Sequence, residues 1–279
     1  MKLTYYGVRG SIASPGNHTA KYGGNTSCVA IQADDDLFVC DAGTGIRKLG
    51  KDLLNQGTKH MVLLLSHAHA DHIEGIRFFP QAYNPHFTID VFCQHQQECS
   101  DAIKKLQEAP LFPSSAKLNA KFHYHELKDG ESALVGETRI TAARLEHPGS
   151  VLAYRITRNK HTIVYATDNE DSARNKERLV DLARGVDLLI CDAQYTPEEF
   201  KNRIGWGHST YEQCATVANK AGVGQLHLFH HDPERSDEAL EAIVGSAQQL
   251  FQNTNAAREG LEVRLGRDTE VRRREAVKV

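Results

Sequence analysis

No apolar run in this sequence approaches the roughly 20 residues that a membrane-spanning helix needs, so no membrane span is expected within its 279 residues. The opening Met1-Lys2-Leu3-Thr4-Tyr5-Tyr6 alternates and then breaks at Gly7, which predicts a strand rather than a charged region leading into an apolar signal segment. None of the six cysteines forms a C-x-x-C pair; they lie scattered, mostly within apolar runs such as Leu188-Leu189-Ile190-Cys191. Spaced like this they read as buried thiols, and a reducing cytoplasm is the expected location. An excess of basic charge is also missing. The formal net charge is -3 and the sequence pI about 6.6, which gives no global field for gripping a polyanion and makes extended nucleic acid a disfavoured partner. No Pro/Gly/Ser-rich linker divides the chain, so one domain over residues 1–270 is expected, followed by a basic tail over 271–279 with Arg272, Arg273, Arg274 and Lys278. The tail reads as a solvated end. A homodimer is compatible with the sequence if those arginines serve subunit contact.

What is present is an ordinary globular composition, with 40% apolar and 25% charged residues, enough to bury a sizeable core. Strand-like runs recur at 2–6, 28–33, 36–40, 61–66, 87–93, 137–144, 151–157, 161–167, 187–191, 225–230 and 261–265. Helical periodicity predicts helices over 44–55, 96–107, 173–184, 210–221 and 235–253, the last with Leu240, Ile243, Val244 and Ala247 at helical spacing. Strands come first in hairpin-like groups and later alternate with helices. The pattern predicts an α/β protein of mixed sheets covered by helices rather than a doubly wound parallel sheet. The segment 108–119, which has two prolines and no clear period, is expected as a loop that overhangs the functional site or simply crosses the surface.

The most informative stretch is Leu63-Leu64-Leu65-Ser66-His67-Ala68-His69-Ala70-Asp71-His72, with four metal-binding side chains in six residues directly after an apolar run. Imidazole and carboxylate are the ligands that Zn²⁺ and its first-row neighbours prefer. His67 and His69 alternate, so in extended geometry they point the same way; Asp71 and His72, on the turn beyond, are placed to face a second ion. Three more groups stand where an apolar run ends: His147, Asp168 and His230. Several sheet ends can converge on one cleft. His231 is the alternative to His230, whereas His123, His125 and His227 are expected on a half-exposed strand or in the core.

In this order, His67-x-His69-x-Asp71-His72, His147, Asp168 and His230 resemble the metallo-β-lactamase superfamily over nearly the whole chain. The narrower likeness is to its phosphodiesterase branch, which includes tRNase Z and cyclic phosphodiesterases. Gly207-His208-Ser209-Thr210 looks like the His-Ser-Thr loop of that branch, and Cys191-Asp192-Ala193-Gln194 takes the place of its His-Glu-Ala-Thr segment. The resemblance implies an αββα sandwich of two mixed β-sheets flanked by helices. It also implies two divalent ions, with Zn²⁺ favoured and Mn²⁺ or Fe²⁺ as alternatives. His67, His69 and His147 would bind one ion and Asp71, His72 and His230 the other, with Asp168 as the bridge.

Two such ions roughly 3.5 to 4 Å apart can share a water, lower its pKa and clamp the oxygens of an in-line displacement. The implied activity is hydrolysis of a phosphodiester. His208 would stabilise the phosphoryl oxygen or protonate the leaving alkoxide, with Asp192 orienting it; the family has Glu there, one methylene longer. Asp41 is a candidate acceptor for the second ring N–H of a ligand histidine, and Asn25, Thr26, Ser27, Asn169 and Glu170 are candidates for lining the pocket. tRNase Z enzymes made for precursor tRNA insert a long arm between the positions of His147 and Asp168, where this chain has room only for a hairpin. A small phosphodiester, with a cyclic nucleotide ahead of other cyclic phosphates, is therefore the expected substrate. The alternatives are a tRNase Z-type RNA 3′-processing endonuclease, a thioester, lactone or lactam hydrolase of the same fold, and a non-catalytic nucleotide or metal sensor.

Overall fold

Along the first strand, β1 (Lys2–Gly7), Leu3 and Tyr5 point into one apolar cluster while Thr4 and Tyr6, also buried, point to the opposite side. A strand buried on both faces needs a cover on each, which a sheet and a layer of helices supply. A computed structural model describes residues 1–113, 116–266 and 270–273 and shows this arrangement. After β1 come β2 (Cys28–Ala33), β3 (Asp36–Cys40), α1 (Ile46–Leu53), β4 (His60–Leu64), α2 (Ala70–Ile73), β5 (Thr88–Cys93), α3 (Gln96–Lys105) and β6 (Lys121–Glu126). The second half runs β7 (Ser132–Val135), β8 (Thr138–Leu145), β9 (Val151–Arg158), β10 (His161–Ala166), α4 (Ala173–Leu182), β11 (Leu188–Asp192), α5 (Pro197–Phe200), α6 (Tyr211–Ala221), β12 (Gln225–Phe229), α7 (Asp237–Leu250), β13 (Thr254–Ala256), β14 (Leu261–Arg264) and β15 (Glu270–Arg273).

The strands form an eight-stranded sheet in the order β15-β14-β1-β2-β3-β4-β5-β6 and a seven-stranded sheet in the order β13-β12-β11-β10-β9-β8-β7. Both are mixed. β3 to β6 are parallel in the first sheet and β10 to β13 in the second, while the remaining pairings are antiparallel. Between the sheets lies a core that includes Tyr5, Phe38, Leu64, Tyr154, Tyr165 and Phe229. The outer face of the first sheet packs on α1 and α3, and that of the second on α4, α6 and α7. The αββα sandwich expected from the resemblance is present.

Helix ends follow the local chemistry. Thr210, Ser236 and Ser172 each cap a helix by accepting a backbone N–H from the third residue on, and Gly222 closes α6 in the left-handed region at φ 63°. All eleven expected strands form within two residues of their expected bounds, and the five expected helices within three. Four strands were not expected: β6, β7, β13 and β15. These are the edges of the two sheets. Residues 271–273, expected in a solvated tail, belong to β15 and pair with β14; residues 274–279 lie outside the described residues.

The segment 108–119 is irregular as expected, and its described residues pack beside Phe78, α3 and β6. Phe112 packs edge-on against Phe78 with centroids 5.8 Å apart, and the segment lines a cavity with α3 and β6 on the outer face of the first sheet. Ser114 and Ser115 lie outside the described residues. All six cysteines are buried and unpaired, and no helix among the described residues is long and apolar enough to cross a membrane.

Candidate metal centre

Asp41 stands just beyond β3, in the left-handed region at φ 60°. Its buried carboxylate accepts from the backbone N–H and hydroxyl of Ser66 (both 2.8 Å), from the Tyr165 hydroxyl (2.7 Å) and from Nδ1 of His72 (2.7 Å). A carboxylate only accepts, so the His72 proton sits on Nδ1 and Nε2 is turned toward the cluster. The candidate role of Asp41 read from the sequence is thus met in geometry. His69 occupies the N-cap position of α2, and the short helix then swings Asp71 and His72 inward.

The nitrogens of His67, His69 and His147 lie within 4.8 Å of one another, as do ligand atoms of Asp71, His72, Asp168 and His230. His147 Nε2 is 3.2 Å from His69 Nδ1, while its own Nδ1 donates to the Gly207 carbonyl at 2.9 Å. Asp168 lies between the two groups. Its Oδ1 is 3.3 Å from His72 Nε2 and 3.2 Å from His230 Nε2; its Oδ2 is 3.8 Å from His67 Nε2 and 3.9 Å from His147 Nε2. Asp71 Oδ2 lies 3.1 Å from His72 Nε2 and 3.3 Å from His230 Nε2, and accepts the Ser11 backbone N–H at 2.9 Å.

Asp168 and His230, at φ 49° and 58°, share with Asp41 a left-handed backbone that costs energy outside glycine. Three such residues, just beyond the ends of β3, β10 and β12, mark a site held against local preference. His230 Nδ1 donates to Gln194 Oε1 at 3.0 Å. His231 points away and bonds the Ala257 carbonyl at 2.8 Å, so His230 is the member of the pair in the cluster.

The group fits a pair of divalent cations on its own chemistry. His67 Nε2 and His72 Nε2 are buried with no hydrogen-bond partner. Asp71, Asp168 and Asp192 are buried, yet their ion-pair partners among the described residues are all histidines, with no lysine or arginine. Such buried negative charge calls for a cation. Burial opposes ionisation of Asp71 and Asp168, but neighbouring His72 and His230 hold both well below the usual carboxylate range. Burial, reinforced by surrounding imidazoles, pushes His67 down, and burial lowers His147 as well.

His208 Nδ1 meets Asp192 Oδ2 at 2.9 Å, so the shorter Asp reaches where the family has Glu. Burial resists its charge, but Asp192, with Asp168 and Asp71 behind it, raises His208 to about 9. Ser209 and Gln194 donate backbone N–H groups to the other Asp192 oxygen. Gly207 holds φ 87°, and a Cβ there would lie 2.1 Å from His147 Nδ1; at Gly10 it would lie 2.4 Å from His230 Nδ1.

Other expected residues are placed elsewhere. Asn25 bonds Glu259, Thr26 bonds Thr44 and Ser27 is buried, so this loop buttresses the strand ends rather than lining the pocket. Asn169 turns back to the Ala166 carbonyl. Glu170 does not face the cluster; it accepts the N–H groups of Gly205 (2.9 Å) and Gly207 (2.6 Å) and pins the loop that carries His208. His227 is in the core, bonded to Tyr5. His123 and His125, exposed on β6, surround Asp90 of β5 together with His60. Ser11, Gly10 and Gln194 were not singled out for their contacts with the cluster, because a backbone N–H, a missing Cβ and an amide leave no chemical signature in a sequence.

A sequence profile described as "Beta-lactamase superfamily domain" matches residues 37–231. Ribonuclease Z of Thermoplasma acidophilum is 24% identical over 326 aligned positions, covering 97% of this chain and 99% of that protein. Among solved structures, human tRNase Z, short form, superposes with a TM-score of 0.70 at 20% identity, covering 95% of this chain and 100% of its own. A diphosphatase from the PhnP family superposes with a TM-score of 0.68 at 19% identity, covering 96% and 99%. The chain belongs to the beta-lactamase superfamily, in its metallo-β-lactamase fold. It is a metal-dependent hydrolase of that fold.

Proposed function

We propose that this protein is a phosphodiesterase acting on a small phosphodiester, with a cyclic nucleotide as the favoured substrate and two divalent cations as its cofactors. The observation that carries the reading is the His208–Asp192 pair, 2.9 Å apart and packed against Asp168 and His230. The pair matches the loop and acidic segment that the resemblance gives to the phosphodiesterase branch, and the alkoxide that leaves a phosphodiester needs a proton.

His67, His69 and His147 would hold one ion, Asp71, His72 and His230 the other, and Asp168 would touch both. Bound there, the ions would supply an activated water and positive charge facing the phosphoryl oxygens. Asp41 fixes the ring of His72, Gln194 that of His230 and the Gly207 carbonyl that of His147. With Nδ1 held by Asp192, His208 has Nε2 left to meet a phosphoryl oxygen or the leaving alkoxide, and its ring lines the adjoining cavity.

A small substrate is favoured by the segment between His147 and Asp168. β9 and β10 are joined by Asn159 and Lys160 alone, with Asn159 at φ 54°, so no arm extends from this hairpin. The 326-position alignment with the Thermoplasma protein exceeds this chain's length, so that relative carries inserted residues. The names of the relatives favour RNA 3′-end cleavage as the second reading.

A panel of bis-p-nitrophenyl phosphate, 3′,5′- and 2′,3′-cyclic mononucleotides, a precursor tRNA, a thioester and a β-lactam, assayed with Zn²⁺ or Mn²⁺, separates these classes. Turnover of cyclic mononucleotides is expected. Cleavage of the tRNA without turnover of the small diesters would reverse the assignment.

A further inference from the structure

Beside His208 the protein has a second space, a cavity of about 480 Å³ lined by Ser11, Tyr195, Glu199, Arg203, Trp206 and His208 among others. Its size falls within the roughly 300–1,000 Å³ of small-molecule sites. It adjoins the candidate metal centre through two of its walls, since the Ser11 N–H reaches Asp71 and His208 pairs with Asp192.

Aromatic and cationic groups line this cavity in contact with one another. The Arg203 guanidinium lies 5.9 Å from the centre of the Trp206 ring and 5.0 Å from that of Tyr195, and Tyr195 meets His208 edge-on at 5.7 Å. Trp206 is the chain's only tryptophan and is 60% exposed, although this residue type is seldom left in water without a use. Its backbone is nevertheless fixed, because Glu170 binds the N–H groups on either side of it and its own N–H bonds the Arg203 carbonyl. Ile12 and Ile204, both exposed, adjoin two of the lining residues.

The charges decide what the space can accept. Against Arg203 and Arg235 stand Glu199, Asp232 and Glu234, with Arg235 already paired to Glu199 at 2.6 Å. A second phosphate would meet a rim with no cationic excess, whereas a neutral planar group gains a stacking face and hydrogen-bond acceptors.

We propose that this cavity is the nucleobase subsite, with Trp206 as its stacking platform and Arg203 holding that platform toward His208. It rests on the phosphodiesterase reading above and narrows the substrate to a nucleoside phosphodiester. A polyanionic strand continuing past the scissile phosphate fits this side poorly.

The test compares adenosine 3′,5′-cyclic monophosphate with methyl β-ribofuranoside 3′,5′-cyclic phosphate, the same phosphodiester with methoxy in place of the base, on the metal-loaded protein. Stacking on one aromatic ring sets the expected preference for the base-bearing substrate at about tenfold in kcat/KM. Trp206→Ala should erase that preference chiefly through KM, and Trp206→Phe should retain most of it. An undiminished preference in Trp206→Ala overturns the proposal. Separately, adenosine 5′-monophosphate should saturably quench the single-tryptophan fluorescence and ribose 5-phosphate should not. If neither cyclic phosphate is hydrolysed, the full panel of phosphodiesters decides the phosphodiesterase reading and the quenching result decides the subsite alone; absence of quenching sinks it.

Discussion

The Nδ1–H of His72 donates to Oδ2 of Asp41 at 2.7 Å, inside a buried network where the same carboxylate also accepts from Ser66 and Tyr165. Asp41 thereby sets the direction of the nitrogen that His72 turns toward the candidate metal cluster. Asp41→Asn puts an N–H₂ group among those donors, and a change in such an outer partner costs about 10–100-fold in metal affinity. Competition against a chelating dye measures this; equal affinity in the variant would remove Asp41 from that role.

Cation binding should stabilise the fold. His67 Nε2 and His72 Nε2 are buried without a hydrogen-bond partner, and an ion that binds only the native state adds about 2.7 kcal/mol when its free concentration is 100 times Kd. Thermal melting with added Zn²⁺ and with a chelator should differ by several degrees. Identical curves would contradict the fit of the site to cations.

His208→Ala separates chemistry from metal binding. Turnover should fall about 10²–10⁴-fold, the usual worth of a positioned acid or base, while elemental analysis still finds near two ions per chain. Asp71→Ala should abolish hydrolysis and lower the metal content with it. Full activity in either variant defeats the assigned roles.

Gly207→Ala tests close approach. The position combines φ 87° with a Cβ that would lie 2.1 Å from His147 Nδ1, so either the His208 loop or the His147 ring must move. The far-ultraviolet circular dichroism should be retained while metal affinity drops. Retained affinity would show that the loop yields without cost to His147.

His227 governs part of the acid response. It is fully buried against the Tyr5 hydroxyl at 2.6 Å, and burial pushes it down to about 3. Above its unfolded value near 6.5 the ring is neutral in both states and adds no pH dependence. As pH falls from 6.5 toward 3 the unfolded chain gains a proton that the native state refuses, so stability drops by up to about 1.4 kcal/mol per pH unit. His227→Gln should flatten that window in denaturant titrations, and an unchanged slope would assign the loss to other groups.

The interior strands were legible because burial imposes continuous apolar runs, as in Leu188-Leu189-Ile190 of β11. Strands β6, β7, β13 and β15 were not, because an edge strand has one neighbour and need not carry a continuous apolar run; Lys121 to Glu126 shows only the weak alternation of His123 and His125. The same contrast holds at the site. His67, His69, Asp71 and His72 announce themselves by local density, whereas Glu170 acts only by receiving two N–H groups from a loop thirty-five or more residues away.

The sequence by itself determined the dense cluster from His67 to His72, the mixed pattern of strands and helices and the short hairpin between His147 and Asp168, since each follows from residue type and spacing along one chain; the αββα layering and the full set of candidate ligands followed from the family resemblance. Only the tertiary structure decided that His230 and not His231 enters the cluster, that Asp168 turns one oxygen to each ligand group, and that Trp206 stands beside His208 over an open cavity. Those outcomes depend on backbone angles at strand ends and on the packing of two sheets, which bring together side chains that no local rule relates.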